Sequence, residues 1–465
     1  MGSCAAVGGA APGRPAVRSA DGRRRGRSVS GALLRNALGN VAGPLAGLAS
    51  APLLAHGLGV DGRGEVAAVT APILLAATVS AVGIPDAVTY FVARTPGSAG
   101  TARRRGSALV GIAALTAAVV VVALAPTLAA GSHELTPQIA VLALTVVPSA
   151  LVGILRGTAA GLGHWGQIAI ERTVGPAVRL VAFIVLWLSD SLSVASAATV
   201  ITLAPVISGL AYLRSDCQRT ARDDEAEPED SLREQAAGVV QLLGYGTRAW
   251  VGSLAGVALS RLDQVLMTPL GSTEQLGLYA VAATISELPL VLTTAVREVV
   301  LTTHARDPDE HALAQAGRTA FAASAAAALL IGASAPWCLP IVFGSGFDGA
   351  VPPTVVLLVA VTIGVPGSVA GAGLSARGLP HLRSASMVIG AVVNVVALVV
   401  LVPSWGAVGA AVATLVSNVV AGSINVGQVS RLTAQSFASF HIPTRADASC
   451  ALRCVRRCCR THRLG

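Results

Sequence analysis

The sequence predicts an all-α, polytopic membrane protein of about 12 transmembrane helices, arranged as two six-helix lobes. Three observations predict this fold class. First, 53% of the 465 residues are hydrophobic and only 12% are charged, whereas a soluble domain carries about 25% charged residues. Second, the apolar residues form twelve segments of 21 to 32 residues, each long enough to cross a bilayer, which takes about 20 residues. Third, similar motifs recur in the two halves of the chain.

The chain divides into five regions in order. Residues 1–30 are rich in Gly, Ala, Pro and Arg, and we expect a disordered cytoplasmic arm rather than a cleaved signal peptide. The N-terminal six-helix lobe covers 31–213, and the hydrophilic stretch 214–238 is a cytoplasmic linker. The C-terminal six-helix lobe covers 239–430. Residues 431–465 form a basic, Cys-rich cytoplasmic tail, for which a disordered segment is favoured over a zinc site because the paired C-x-x-C spacing is missing.

The apolar segments set the helices, and the loops between them set the orientation. The segments are 33–57, 66–93, 107–130, 137–158, 167–189, 193–213, 239–270, 275–302, 317–343, 350–375, 382–402 and 406–430. With the N-terminus inside, the inner loops carry nearly all the loop Arg, and the outer loops carry Arg63 and little else. This asymmetry follows the positive-inside rule. It predicts a multi-pass protein of the cytoplasmic membrane with both termini in the cytoplasm.

The basic composition has the same explanation. The chain contains no Lys, so all 33 basic residues are Arg, and the net charge is +9. Arg-rich cytoplasmic loops alone make a membrane protein basic, so no nucleic-acid partner is expected. The chain has no phosphate-binding Walker loop and no catalytic motif. We therefore expect a protein that is not an enzyme and that has no cofactor and no metal site.

Two pairs of motifs indicate a duplication. Residues 58–67 (LGVDGRGEVA) resemble residues 270–280 (LGSTEQLGLYA), and the two stretches occupy similar places in the two halves. Residues 161–164 (GLGH) similarly match 378–381 (GLPH). Because each half has an even number of segments, both halves start on the same side of the membrane. The repeats would be parallel, as in transporters that rock two halves about a central site.

These motifs resemble those of the polysaccharide-biosynthesis flippases of the multidrug/oligosaccharidyl-lipid/polysaccharide exporter superfamily. The resemblance covers roughly residues 31–430 and rests on the order and spacing of loose motifs. They are Leu58-Gly59 to Gly64, Arg261-Leu262-Asp263, Leu276 to Ala280, Pro340 to Phe347, and Val402 to Thr414.

The resemblance implies two six-helix lobes around a central cavity. It also implies a substrate, an oligosaccharide on a polyprenyl (pyro)phosphate, that is moved to the outer leaflet for surface polysaccharide biosynthesis. The implied partners are this lipid-linked oligosaccharide, membrane lipids, and glycosyltransferases or a polymerase of the same pathway. An ion-coupled multidrug exporter and a peptidoglycan lipid-precursor flippase are the alternatives, together with a scaffold that has lost transport.

Arginines inside the segments are the candidates for binding such a phosphate. The planar guanidinium donates paired hydrogen bonds and stays charged when desolvated. We expect Arg179 and Arg248 to line a cavity, with Arg179 near the midplane. Arg261 and Arg35 are further candidates, although Arg35 lies near the inner surface, where it could instead reach lipid headgroups.

Acidic residues inside the segments are the candidates for ion coupling, because an ionisable group within a membrane span is costly and usually functional. They are Glu287, Asp263 and Asp86. Arg261 and Asp263 are two residues apart, about 200° around a helix, so they cannot face one cavity together. We expect Asp263 to share the cavity face with Arg248, and Arg261 to turn toward a neighbour. Pro289 is expected to kink the helix beside Glu287.

Overall fold

A computed structural model of the chain describes residues 21–212, 238–304, 309–433 and 435–440. Most of the predicted arm, nearly all of the linker and most of the tail, including its four cysteines, lie outside these described residues. The described part is helical and contains no β-strand. Its helices are α1 Asp21–Val79, α2 Ile84–Arg94, α3 Ala99–Leu128, α4 Leu135–Leu142, α5 Val146–Gly161, α6 Trp165–Leu188, α7 Val194–Gly209, α8 Val239–Leu270, α9 Thr273–Ser286, α10 Leu288–His304, α11 Glu310–Phe343, α12 Val351–Ala376 and α13 Pro380–Leu432.

Two of these helices are long and contain a break. Helix α1 has 59 residues with non-helical backbone at Gly59, and α13 has 53 residues with non-helical backbone at Gly406. Both glycines have positive φ, of 70° and 51°, which costs glycine little because it has no Cβ. Gly59 falls between predicted segments one and two, and Gly406 is the first residue of predicted segment twelve, next to its junction with segment eleven. A one-residue break thus replaces each of the expected loops.

The helices extend beyond the apolar segments at several ends. Helix α1 begins at Asp21, so residues 21–30 are helical rather than part of the disordered arm that their composition predicted. Helix α3 begins at Ala99, eight residues before the apolar segment, and includes Arg103 to Arg105. Arginine is a good helix former, so a helix can continue past the hydrophobic window. Hydropathy therefore marks the membrane-embedded part of each helix rather than its ends.

Seven stretches of the described residues are long and apolar enough to cross a membrane. They are Gly43–Arg94, Pro96–Leu128, Leu135–Gly161, Val194–Tyr212, Glu310–Phe343, Ser345–Ala376 and Pro380–Leu432. The first and last contain 52 and 53 residues, more than twice the length that one crossing requires. The fold is therefore a polytopic helical membrane protein, and the count of twelve spans stays a prediction.

The buried residues form clusters that follow the two halves. One cluster is built from 69–198 with Leu242, and another from 300–440. A third unites the second half with four alanines of α1, which are Ala51, Ala55, Ala67 and Ala68. Across the halves, the Trp250 indole also donates a hydrogen bond to the Val79 carbonyl oxygen at 3.0 Å. Helix α1 thus links two largely separate cores.

The turns at Gly163 and Gly378 have the same geometry in the two halves. In the first turn, the backbone amides of residues 162, 163 and 164 donate to the carbonyl oxygens of residues 158, 160 and 159, respectively. In the second turn, the backbone amides of residues 377, 378 and 379 donate to the carbonyl oxygens of residues 373, 375 and 374. The two φ angles are 74° and 76°. The structure therefore supports a repeat with an offset of 215 residues (163 to 378). It corrects the motif alignment, which paired Gly378 with Gly161.

The helix bundle has two ends, each marked by turns and links between helices. The Gly59 end contains Gly59, the 189–193 loop and the 271–272 link, and a Cβ placed on Gly57 would contact Leu192. The Gly163 end contains the turns at Gly163 and Gly378. In the predicted orientation, the Gly163 end is cytoplasmic.

Candidate functional site

A cavity of about 560 Å³ lies between the two halves of the chain. Its walls are residues 43–74 of α1, Arg156 of α5, α6 and α7 from the first half, and α8 and α9 from the second half. Both arms of α1 contribute, with small residues such as Gly47 and Ala71. Small side chains leave room beside the helix backbones, and the polar groups project into that room.

The charges on the cavity wall are mostly positive. Among the described residues, five arginines line it, against two glutamates. The arginines are Arg63, Arg156, Arg172, Arg179 and Arg261, and the glutamates are Glu171 and Glu287. Charged groups removed from bulk water are costly unless they are paired or bind a ligand. An excess of three positive charges therefore favours an anionic ligand.

The central group consists of Arg63, Arg179, Arg261 and Glu287. Arg179 lies within electrostatic range of both Arg261 and Glu287, and Arg63 within range of Arg179. The Nε atoms of Arg63 and Arg179 are buried and have no hydrogen-bond partner among the described residues. Both arginines line the cavity, so their guanidinium groups can donate to a ligand there. A phosphate oxygen is a suitable acceptor, because guanidinium groups pair with it through parallel hydrogen bonds.

The position of Arg179 follows from the helical periodicity of α6. Arg172, Gly175, Pro176, Arg179 and Phe183 all line the cavity, and their spacing of three or four residues places them on one helix face. Val178 and Val181 lie instead on an apolar groove on another side of the helix. Gly47 of α1 lies beside the Arg179 guanidinium, and a Cβ at Gly47 would be in van der Waals contact with its Nη2 at 3.5 Å.

Glu287 lies at the interruption between α9 and α10. Pro289 lacks an N–H group, so it cannot complete the helical hydrogen bond to residue 285. The expected effect of Pro289 thus coincides with the observed break. The interruption places Glu287 on the cavity wall next to Arg179 and Arg261.

Arg156 and Glu171 form a second charged group in the same cavity. The Arg156 Nε donates to Glu171 Oε2 at 3.1 Å, and its Nη2 donates to Oε1 at 2.8 Å. The Tyr212 hydroxyl donates to Oε2 at 3.4 Å. Glu171 is buried, whereas the Arg156 side chain keeps 43% of its surface exposed. The pair joins the end of α5, the start of α6 and the 3₁₀ helix Leu210–Tyr212 that follows α7.

The structure reverses the expected roles of the two faces of α8. Arg261 lines the cavity, whereas Asp263 is 5% exposed and lies off the cavity wall. Asp263 accepts a short hydrogen bond from the Tyr279 hydroxyl, which also lies 3.4 Å from the Thr414 hydroxyl. The predicted angular separation of Arg261 and Asp263 thus agrees with the structure, but the prediction that Asp263 faces the cavity is wrong. Tyr279 of α9 provides the polar partner that turns the carboxylate into the second-half core.

One other predicted residue lies away from the cavity, and two have side chains that the structure does not describe. Asp86 is exposed in the first turn of α2 and does not line the cavity. Arg35 and Arg248 lie on α1 and α8, but their side chains fall outside what the structure describes. The proposed roles of Arg35 and Arg248 therefore stay predictions.

Sequence reasoning missed four cavity residues. It placed Arg63 in an outer loop and Arg156 in an inner loop, and it did not consider Glu171 and Arg172. The Gly59 break lets the helix restart at once, so Arg63 lies inside a helix. Glu171 and Arg172 are adjacent charges within predicted segment five, and that was the available signal.

Comparison with known proteins places the chain in a family. A family model described as "Polysaccharide biosynthesis protein" matches residues 33–301, which is more than half of the chain. No curated protein matches the chain. The chain belongs to the polysaccharide biosynthesis protein family.

Solved structures with a similar fold are transporters. The lipid II flippase MurJ in an inward closed conformation is 12% identical, with a TM-score of 0.66 over 88% of this chain and 89% of that one. An inward-facing multidrug resistance MATE transporter of the MOP superfamily is 17% identical, with a TM-score of 0.61 over 86% and 99% of the two chains. A MOP superfamily transporter from Pyrococcus furiosus is 16% identical, with a TM-score of 0.51 over 87% and 96%. The fold is that of MOP superfamily transporters.

Proposed function

We propose that the chain is a flippase that moves a polyprenyl-(pyro)phosphate-linked oligosaccharide across the cytoplasmic membrane by alternating access. The single observation that carries this function is the cluster of Arg63, Arg179 and Arg261 in a cavity between the two halves. Three guanidinium groups with one glutamate, Glu287, beside them on the described cavity wall suit a diphosphate. The cavity walls are polar enough for a glycan, while the polyprenyl tail would stay in the lipid.

Two alternatives take different substrates. A multidrug exporter for cationic compounds would require an acidic or aromatic cavity, and the excess of Arg in this cavity disfavours it. A peptidoglycan lipid precursor also carries a diphosphate, and the fold is similar to that of a lipid II flippase. Both flippase hypotheses place an anionic diphosphate in the cavity and differ in the glycan, so the identity of the glycan must be tested separately.

Glu287 is the proposed coupling residue. It is the acidic group of the central cluster, and its neighbours Arg179 and Arg261 are the proposed phosphate ligands. Binding of a proton or cation near Glu287 would change the net charge that the phosphate meets. Asp263 is the second candidate, and it would act from the second-half core rather than from the cavity.

The test is transport by the full chain reconstituted in liposomes. A fluorescent polyprenyl diphosphate oligosaccharide is added to one leaflet, and its appearance in the other is followed by quenching. We expect Arg179→Ala to lower transport by about 10- to 100-fold, the value of one or two hydrogen bonds to a charged group. Arg94→Ala is the matched control, because Arg94 is exposed at the end of α2 and does not line the cavity.

The same assay separates the candidate functions. Transport of lipid II in place of the oligosaccharide lipid would favour the peptidoglycan reading. Efflux of a cationic dye with no movement of either lipid would overturn the flippase proposal. Equal transport by wild type and Arg179→Ala would remove Arg179 from the site.

A further inference from the structure

We infer that the Arg156–Glu171 pair forms a second phosphate-binding station at the Gly163 end of the cavity, which a phosphate group occupies before it reaches the central cluster. This inference rests on the proposed function. It adds a binding site and a positioning residue, Glu171, to the same cavity. The observation that carries it is a buried carboxylate that holds the guanidinium of a partly exposed arginine side chain on the cavity wall.

The two groups of charges are separate along the cavity. Arg172 and Arg179 lie on the same face of α6, seven residues apart, which corresponds to about 10 Å along a helix. Glu171 and Tyr212 are the charged or hydrogen-bonding groups that act on Arg156, whereas Arg179 is under the influence of Arg261 and Glu287. A ligand at one group therefore does not occupy the other.

The geometry fits a guanidinium that is fixed for binding. Glu171 accepts hydrogen bonds from Nε and Nη2 of Arg156, and so fixes the plane of the guanidinium group. The Tyr212 hydroxyl in turn donates to the same carboxylate. A side chain oriented in advance loses less conformational entropy when it binds a ligand. Glu171 thus acts through Arg156 and does not need to touch the phosphate.

The second half of the chain provides an internal comparison. The repeat offset of 215 residues relates Arg156 and Glu171 to Gly371 and Ser386. There, the Ser386 hydroxyl donates to Asn425 Oδ1 at 2.6 Å, and Asn425 Nδ2 donates to the Gly367 carbonyl oxygen at 3.2 Å. This hydrogen-bonded contact joins the corresponding helices through uncharged side chains. Arg383 also packs against Gly371, since a Cβ there would lie 3.3 Å from its Cγ, but the hydrogen bonds that join the helices do not involve it. Packing of the junction therefore does not require an ion pair, and the charged version occurs in the half that lines the cavity.

The charge balance favours passage from this station to the centre. Among the described residues that line the cavity, the Gly163 end carries Arg156 and Arg172 against Glu171, an excess of one positive charge. The central cluster carries three arginines against Glu287, an excess of two. In the predicted orientation, a phosphate arriving from the cytoplasmic leaflet meets the weaker site first. A weak first site captures the phosphate without holding it.

The first experiment counts anion sites on the full-length protein purified in uncharged detergent, with inorganic pyrophosphate as the probe in isothermal titration calorimetry. We expect two equivalents bound to wild type, and one equivalent bound to Arg156→Ala or to Arg179→Ala. Arg156→Lys keeps the charge but loses the planar fork, and its affinity at this site should fall about tenfold. Arg94→Ala should bind two equivalents.

A second measurement tests the role of Glu171. In the liposome assay, Glu171→Gln should raise KM about tenfold and leave kcat within about twofold, because it disturbs capture rather than the central site. A merely structural role would lower the thermal midpoint and the amount of active protein without this split.

Repeating the titration in nanodiscs with and without phosphatidylglycerol separates the sources of phosphate. If the equivalent of pyrophosphate that depends on Arg156 is lost in nanodiscs that contain phosphatidylglycerol, the station binds a lipid headgroup, and its role in capture is overturned.

The outcomes distinguish this inference from the proposed function. Suppose that wild type binds one equivalent of pyrophosphate, and that this equivalent is lost in Arg179→Ala but kept in Arg156→Ala. This result overturns the second station and leaves the flippase proposal intact. No pyrophosphate binding by wild type overturns both.

Discussion

Gly64 and Gly277 lie back to back where α1 and α9 cross at the Gly59 end. A Cβ built on Gly64 would lie 3.0 Å from the amide nitrogen of Gly277, and one built on Gly277 would lie 3.1 Å from that of Gly64. Each added Cβ would also overlap a backbone carbonyl oxygen, that of Thr273 or of Val60. The two motifs that indicate the duplication in the sequence therefore contact each other in the fold. They close the two halves against each other on this side of the cavity.

Gly64→Ala should open the Gly59 end of the cavity. The new methyl group meets rigid backbone, so the helices have to separate or the closed state loses stability. The measurement is the labelling of Thr284→Cys, on the cavity wall, by a membrane-impermeant maleimide in a background with the native Cys replaced by Ser. We expect labelling from the side of the Gly59 end to rise several-fold.

Gly111→Ala is the control for this change, because a Cβ at Gly111 in α3 meets nothing within 4 Å. Gly277→Ala should reproduce the effect from the other side of the contact. Wild-type labelling rates in both variants would show that this contact does not close the cavity.

Glu287→Gln should strengthen anion binding and weaken coupling. Removing the negative charge beside Arg179 and Arg261 raises the net positive charge of the central cluster, so pyrophosphate should bind more tightly. If Glu287 exchanges the coupling ion, stimulation of liposome transport by an imposed proton or sodium gradient should disappear. Glu274→Gln, in the exposed first turn of α9, should keep both properties. Unchanged stimulation in Glu287→Gln would exclude it as the coupling residue.

Tyr279→Phe should destabilise the second half more than Asp263→Asn does. The Phe variant leaves the buried Asp263 carboxylate without its hydroxyl donor, a loss of about 1–3 kcal/mol. In Asp263→Asn the amide oxygen still accepts from the Tyr279 hydroxyl, so the loss is smaller. Thermal unfolding in detergent measures both, with Tyr90→Phe on the exposed surface as the control. An Asn variant that is stable but no longer responds to an ion gradient would give Asp263 a coupling role.

The sequence predicted the fold class because hydropathy and loop charge are local properties. It could not predict the full set of residues that line the cavity, because that depends on the rotation of each helix. Arg261 and Asp263 show the limit: their spacing requires opposite faces, but only the position of Tyr279 decides which face meets the core. Arg63 shows a second limit. Hydropathy does not give the length of a loop, so it does not show whether a charge near the end of an apolar segment lies in the loop or in a helix. The single-residue break at Gly59 depends on a positive φ that hydropathy does not report.

Gly163→Ala and Gly378→Ala should destabilise the chain by similar amounts. Both glycines have φ near 75°, and a Cβ at either position meets nothing within 4 Å. The cost is therefore that of the left-handed backbone alone, about 1–2 kcal/mol for a residue with a Cβ, and Asn should cost less because it tolerates this region. Thermal unfolding of the Ala and Asn variants at Gly163 and Gly378 tests whether the two turns are equivalent. Gly161→Ala would behave differently, because its Cβ would meet the Val92 side chain at 2.8 Å, so its loss would come from packing between α5 and α2. A large loss at Gly378 with none at Gly163 would contradict the structural repeat at these turns.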